Sequence, residues 1–499
     1  MPMPTRNKKL PALISKMKRL IFVFFLTVGA WSYCLAQFQT GVENSNQSGV
    51  LGITINPANS NQLSNGTDFM LAYGRFSIFN NDFYLPAKPI TSVLKPEIFT
   101  AFKEKQVPGG ETINKKFERL FDMHRSLKPN GYIFADVTVY GPSFLVNMGR
   151  HSFGLLTAFK ATSSTINLPR EMAIFLQKGV VTSDLNGKTF KLNNVKSRSL
   201  VYEDIAFNYS YQIRDSYKSI QRLGINMHYL IGINSMIFDD HGTIWSVNSV
   251  DSSILFTNGK FTYNYAATSS DITSEMLATR GNGFSVDLGY TYLRKNINRR
   301  TRTTFCPNVR VGKIRDYQTY KWKAGIALMD LGYINFISQT VTSNYIDANG
   351  PVTNLDLAFY KGLFSLDNKL KYGFGPSTIR GDNFITYLPT RLNIQFDYLY
   401  KENWFFNLSV SQRTPISDTN SIHASNIVSL TPRYETLNTV ICFPISLIEY
   451  QYPILGLNIK YGPLIIGTNQ LLEVIGIRTI KGVDFYFGLK FNISNIRGI

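Results

Sequence analysis

The residue types that could do chemistry in this 499-residue chain are few and scattered. Five histidines stand at 124, 151, 228, 241 and 423, and no two have the spacing of a metal pair on one face. The densest polar cluster is Asp239-Asp240-His241, followed by Gly242. A carboxylate beside an imidazole could activate a water, but the same run of polar residues before a glycine also makes an ordinary turn. Gly187-Lys188-Thr189 matches the end of a phosphate-binding loop. Thr182, however, stands where the first glycine is required, so Asn186-Gly187 reads as a tight turn. The sequence offers no catalytic set, no metal set and no cofactor motif.

A different chemistry is carried by charges set inside alternating, strand-like segments. Asp136, Asp287, Asp330 and Asp397 are acids of this kind, and Arg391 and Arg433 are bases available to pair with them. Polar and charged side chains lining a pore set what passes through it. These six are therefore the expected lumen residues, provided the elements carrying them are strands with one wet face.

The last such element, Gly482 to Ile493, shows the pattern most plainly. Val483, Phe485, Phe487, Leu489 and Phe491 fall on one side, and Asp484, Tyr486, Gly488, Lys490 and Asn492 on the other. An edge strand of a soluble sandwich would share this pattern. In a membrane barrel the apolar side meets lipid and the polar side an aqueous lumen. Replacing Lys490 on that wet side should then cost little.

Reading the whole chain this way predicts fourteen strands. Long connections at 80–130, 163–200, 235–282 and 338–388 all follow odd strands, and short turns at 148–151, 215–220 and 401–402 all follow even ones; 295–318 is longer than a turn should be. Outer-membrane barrels sort their loops in this manner, and a sandwich has no reason to. The expected fold is an all-β, transmembrane, antiparallel up-and-down barrel with long outer loops. Residues 80–130 include a charged segment, Glu111 to Arg125, with helical character, and a short helix is expected at Arg170 to Gln177.

Targeting agrees. Six basic residues precede the apolar run Leu20 to Ala30, and Cys34-Leu35-Ala36 leads into Gln37. This is a secretory leader cut after Ala36. The expected organisation is a signal peptide at 1–36, an N-terminal segment at 37–66 and a barrel at 67–499, located in the outer membrane. The formal charge is +19, but Lys and Arg are scattered rather than gathered into a stripe, which argues against nucleic acid. Only Cys306 and Cys442 remain after cleavage, too few for a disulfide framework. The turn Asn56-Pro57-Ala58-Asn59 is either a lumen plug or the lead-in to the first strand.

Several local motifs together resemble one family, the uncharacterised Bacteroidota outer-membrane barrels. They are Gly52 to Asn59, Phe134 to Val137, Tyr140 to Phe144, Gly325 to Gly332, Leu388 to Asn393, Thr431 to Glu435 and Gly462 to Asn469. That family is similar in plan to fatty-acid transport barrels and to secretion-associated barrels. The resemblance implies export, a barrel and an outer-membrane lipid environment, and it implies no activity. Barrels of the fatty-acid type place an N-terminal segment in the lumen, which the Asn-Pro-Ala stretch resembles. The leading expectation is binding or passage of a small hydrophobic ligand without catalysis. The alternative is a structural barrel that holds secretion or surface proteins.

Overall fold

The computed structural model describes residues 41–61, 66–90, 124–125, 130–178, 185–248, 253–266, 278–296, 320–353, 363–375, 380–381, 383–414, 420–436 and 438–494. The expected leader, most of Glu111 to Arg125, Cys306 and most of 295–318 lie outside them.

Fourteen antiparallel strands form a closed wall, as the alternation predicts. They are β1 (Gly66–Asn80), β2 (Gly131–Tyr140 with Ser143–Met148), β3 (His151–Leu168), β4 (Lys196–Asp215), β5 (Ser219–Asp240), β6 (Gly281–Lys295) and β7 (Tyr320–Phe336). The second half comprises β8 (Phe384–Tyr387 with Arg391–Lys401), β9 (Trp404–Arg413), β10 (Ile427–Glu435), β11 (Thr439–Cys442 with Ile445–Ile448), β12 (Tyr452–Leu455 with Leu457–Tyr461), β13 (Leu464–Thr468) and β14 (Gly482–Ser494). Each pairs with the next, and β14 closes on β1 from Gly66↔Ser494 to Phe79↔Gly482. Closure leaves no unpaired edge, which a lipid environment requires. No helix among the described residues is long and apolar enough to cross a membrane.

The two faces of the wall differ as a membrane barrel demands. On β14, Phe485, Phe487 and Phe491 are exposed outward, while Asp484, Tyr486 and Lys490 are buried inward. Outward aromatics at the short-turn rim include Tyr217, Tyr400, Trp404 and Tyr461, where interfacial girdles sit.

The long connections are more structured than a loop reading anticipates. β4 and β5 run for 20 and 22 residues, well beyond the about 9–11 needed to cross a bilayer. Their excess rises above it and carries a second layer. Residues 338–388, expected as a polar loop, contain a strand at Thr340–Thr353 and a helix at Leu363–Phe374. Residues 235–282 contain strands at Ile244–Asn248 and Ser253–Ala266. The expected short helix is present at Arg170–Lys178. Ser253–Ala266 pairs with the top of β5 and with Thr340–Thr353. Around it packs an aromatic core including Phe175, Trp245, Phe261, Tyr263 and Tyr345. Phe261, Tyr263 and Tyr265 alternate in the sequence; these strands bury rings against protein rather than lipid, so their period is easily set aside as loop.

Residues 41–61 make no strand. Three short 3-10 turns, Val42–Asn44, Gly49–Thr54 and Pro57–Asn61, lie inside the wall. Val42, Val50, Leu51 and Ile53 are buried against Met70, Tyr73, Tyr140, Leu145 and Tyr486 of the wall.

Candidate functional site

The inward face carries a belt of charge that passes from strand to strand. Asp484 of β14 pairs with Arg75 of β1 at 3.3 Å, and Asp136 of β2 follows, accepting from the Thr138 hydroxyl at 3.1 Å. Lys160 of β3 pairs with Asp204 of β4 at 2.8 Å. His228 of β5 sits between carboxylates, with Nδ1 2.8 Å from Asp204 and Nε2 2.9 Å from Asp287 of β6. Arg391 of β8 donates to Asp330 of β7 at 3.0 Å. Paired, hydrogen-bonded charges of this kind are the form in which ions are tolerated in a protein interior.

Asp330 owes its place to a backbone irregularity. Strict alternation along β7 would turn it towards lipid, next to inward-facing Met329. Instead the β6–β7 register shifts between Val286 and Leu288, and Asp330 takes φ +56. The bulge re-aims its side chain into the lumen, as bulges commonly do.

A second cluster lies towards the short turns. Arg433 contacts Asp397 at 2.8 Å and Glu435 at 2.6 Å. Glu435 in turn accepts from the backbone N–H and side-chain amide of Asn46 at 3.0 and 2.7 Å. Lys490 holds Asp68 at 2.8 Å, and Asp68 accepts the Val50 N–H at 2.6 Å. Lys490 is therefore not a solvated lumen residue, and the expectation that its replacement would be silent is corrected: it is buried in an ion pair.

Both clusters grip residues 41–61. Asn226 donates to the Ile53 carbonyl at 3.0 Å and to Asp287 at 2.8 Å, tying the segment to the belt. Asn208 donates to the Pro57 carbonyl at 3.2 Å, and Asn393 to that of Ile55 at 3.0 Å. Asn56 reaches the carbonyls of Tyr290 and Ile326, both at 3.3 Å, and its own Oδ1 accepts the Ala58 N–H at 2.9 Å. Asn59 donates to Gln395 at 3.2 Å. Between this segment and the belt remains a polar cavity of about 40 Å³, lined by Glu43, Thr54, Asp136, His228, Asp330 and Arg391 among others. A water needs about 10–15 Å³ of such space, so the cavity has room for only a few waters.

The sequence-derived lumen acids thus divide. Asp330 and Asp397 meet Arg391 and Arg433. Asp287 binds His228 and Asn226 instead, and Asp136 has a hydroxyl partner. Arg75, Lys160, Asp204 and His228 were not singled out from the sequence, although parity could have found two of them. Asn226 and His228 alternate with Ile225, Met227 and Tyr229, and Asp204 alternates with Ile205 and Phe207.

The polar clusters noted at the start have structural places. Asp240 accepts backbone N–H groups from Asn194, Gly242 and Thr243 at 3.1, 3.1 and 2.9 Å, and Asp239 pairs with Arg198 at 2.7 Å. Gly187 occupies a turn at φ +70. Among the described residues no group of three or more His, Cys, Asp or Glu is arranged to hold a metal ion. Cys442 is a buried free thiol.

Residues 97–469 match a family of unknown function, DUF5723. The chain belongs to that family. No curated protein matches it. Among solved structures, this DUF5723 member is similar to a deletion mutant of the TodX monoaromatic hydrocarbon channel (10% identity, TM-score 0.43, 92% of this chain and 97% of that one). It is also similar to the Ralstonia pickettii toluene transporter TbuX (10% identity, TM-score 0.39, 92% and 96%). The translocator domain of the autotransporter NalP from Neisseria meningitidis aligns at 7% identity and TM-score 0.31, over 86% and 89%. At this level of likeness, what those barrels carry remains a property of those barrels.

Proposed function

We propose that this DUF5723 protein is an outer-membrane barrel for binding and passage of a small ligand, held shut by residues 41–61 acting as a lumen plug. One observation carries the reading. Gly224 of β5 and Gly289 of β6 are register partners on the inward face. A Cβ on Gly224 would lie 2.3 Å from the Pro57 carbonyl carbon, and one on Gly289 would lie 2.2 Å from Asn56 Oδ1. The wall is notched where the Asn56-Pro57-Ala58 turn seats, so wall and segment fit as a docked pair. The outer-membrane location is supported by the edge-free wall, the apolar outward face and the export leader.

In the outer half of the lumen Leu200, Leu230, Ile334, Phe336 and Ile422 pack against one another as a buried apolar core, which would offer a small hydrophobic guest apolar surface once it opens. The charge belt below it opposes a hydrocarbon until plug and belt rearrange. The test is flux into reconstituted vesicles, using a small sugar and a hydrophobic dye. Wild type should pass both slowly, and Gly224→Val should speed passage by ejecting the turn. A folded Gly224→Val barrel with unchanged flux would count against the plug.

The alternative, a barrel that holds surface proteins, draws support from the ordered layer of Ser253–Ala266 and Thr340–Thr353 above the wall. Partners co-purifying with wild type, and lost when that layer is trimmed, would favour it.

A further inference from the structure

At one place the wall is completed by a covering segment rather than a ladder. β13 has five residues, against the about 9–11 that cross a bilayer. Its ladders end at Leu457↔Thr468 on β12 and at Gly467↔Tyr486 on β14. Beyond them Tyr452–Leu455 runs on with β11, and Gly482–Phe485 with β1. Pro453, which has no N–H to give a neighbouring strand, lies on this stretch. Residues 469–481 fill the space between, and their helical turn, Leu471–Val474, packs against both strands. Side chains fasten them to β12. Glu473 accepts from the Tyr452 hydroxyl at 3.3 Å, and Arg478 donates to the Pro453 carbonyl at 2.5 Å, its guanidinium 4.1 Å from the Tyr452 ring centre. Ile480 and Leu85 exchange backbone hydrogen bonds at 2.9 and 3.0 Å.

The fastening is incomplete. Glu473 Oε2 and Gln470 Oε1 are buried, and no group among the described residues donates to either. Unmet buried acceptors are costly, so the seated segment is poised to leave. At its inner end the segment holds the charge belt and reaches the plug. The Asn469 N–H donates to Asp484 at 3.0 Å, and Asp484 pairs with Arg75. Arg75 and the plug's Glu43 line the same cavity. Asn469 also accepts from the Asn458 amide at 3.4 Å, and a Cβ on Gly41 of the plug would lie 2.3 Å from that amide nitrogen. Two wall groups beside the plug therefore lose a bond when Asn469 withdraws.

We propose that residues 469–481 are a strap that keeps the plug seated, and that lifting the strap off β12 loosens residues 41–61 through Asp484 and Asn458. This rests on the plug reading. The test is hydrogen exchange of the full mature chain in detergent, read over residues 41–61 and, as a control, over β4, which lies away from the strap. Arg478→Ala unfastens the strap without touching the plug. Exchange over 41–61 should quicken at least threefold, with β4 unchanged. A disulfide between Leu85→Cys and Ile480→Cys, which as a hydrogen-bonded pair stand about 5.5 Å apart, should return that rate to the wild-type value when oxidised and release it when reduced. Heat-modifiable gel mobility checks folding. Should Arg478→Ala not fold, Tyr452→Phe, which removes only the hydroxyl bonded to Glu473, makes the same comparison. Gly224→Val separates the two readings, because it unseats the plug with the strap in place. Faster exchange over 41–61 in Gly224→Val, but neither in Arg478→Ala nor in Tyr452→Phe, would overturn the strap and keep the plug. Faster exchange spread equally over β4, or no effect of the oxidised disulfide, would also overturn the strap.

Discussion

The backbone N–H of Asp330 donates to the Asp287 carboxylate at 2.7 Å, joining the bulge of β7 to the belt on β6. That bond holds Asp330 in its positive-φ conformation with its own carboxylate on Arg391. Removing one partner of such a pair leaves a buried charge uncompensated, at a cost of about 3–5 kcal/mol. Asp330→Ala should therefore lose stability of that order, read by urea titration of the refolded barrel. Asp330→Asn should lose less, because asparagine tolerates positive φ and keeps a hydrogen-bond acceptor. Equal losses would mean that the lost charge alone sets the cost and that the positive φ and the acceptor add nothing.

The two faces of β14 give the next expectation. Phe487 points to lipid, and an arginine at mid-membrane costs about 2–4 kcal/mol. Lys490→Gln breaks the buried pair with Asp68 and should cost at least as much, about 3–5 kcal/mol. It should also loosen residues 41–61, because Asp68 holds the Val50 N–H. Protease accessibility of that segment after refolding separates this effect from wall damage. A silent Lys490→Gln would overturn the buried pairing.

Outside the wall strands, His423 stacks on Phe134 with ring centroids 5.5 Å apart and accepts from Arg413. Burial first, then the charges of Arg413 and Lys196, push its pKa down to about 3. The folded value lies below the ordinary value of about 6.5. The contribution of the neutral ring is thus complete above about pH 6.5 and is lost as pH falls towards 3. Hydrogen-exchange protection over 420–426, measured relative to the intrinsic amide rate at each pH, should weaken between pH 6 and 4, and His423→Phe should flatten that protection profile. A flat wild-type profile would remove His423 from the account.

Topology can be read by labelling. Single cysteines at Asn186 and Asn349, both exposed on the long-connection side, should react with an impermeant thiol reagent on intact cells. Cysteines at Arg150 and Glu402, exposed in short turns, should react only after the outer membrane is opened. The background lacks Cys34, Cys306 and Cys442. Mixed labelling within either pair would break the assignment of sides.

The sequence by itself determined the wall. Period-two alternation, as in Phe485, Phe487 and Phe491 against Asp484, Tyr486 and Lys490, is local, and the sorting of long and short connections needs only strand order. It also put Asp287 and Asp397 on the wet face, because parity along one strand is enough. Tertiary structure decided the rest. Asp330 faces the lumen through a bulge that parity forbids. His228 lies between Asp204 and Asp287 only when β4, β5 and β6 are in register. Gly224 and Gly289 read as weak strand residues until Pro57, more than 150 positions earlier in the chain, is laid against them. Side-chain direction is a property of a strand; contact across a lumen is a property of closure.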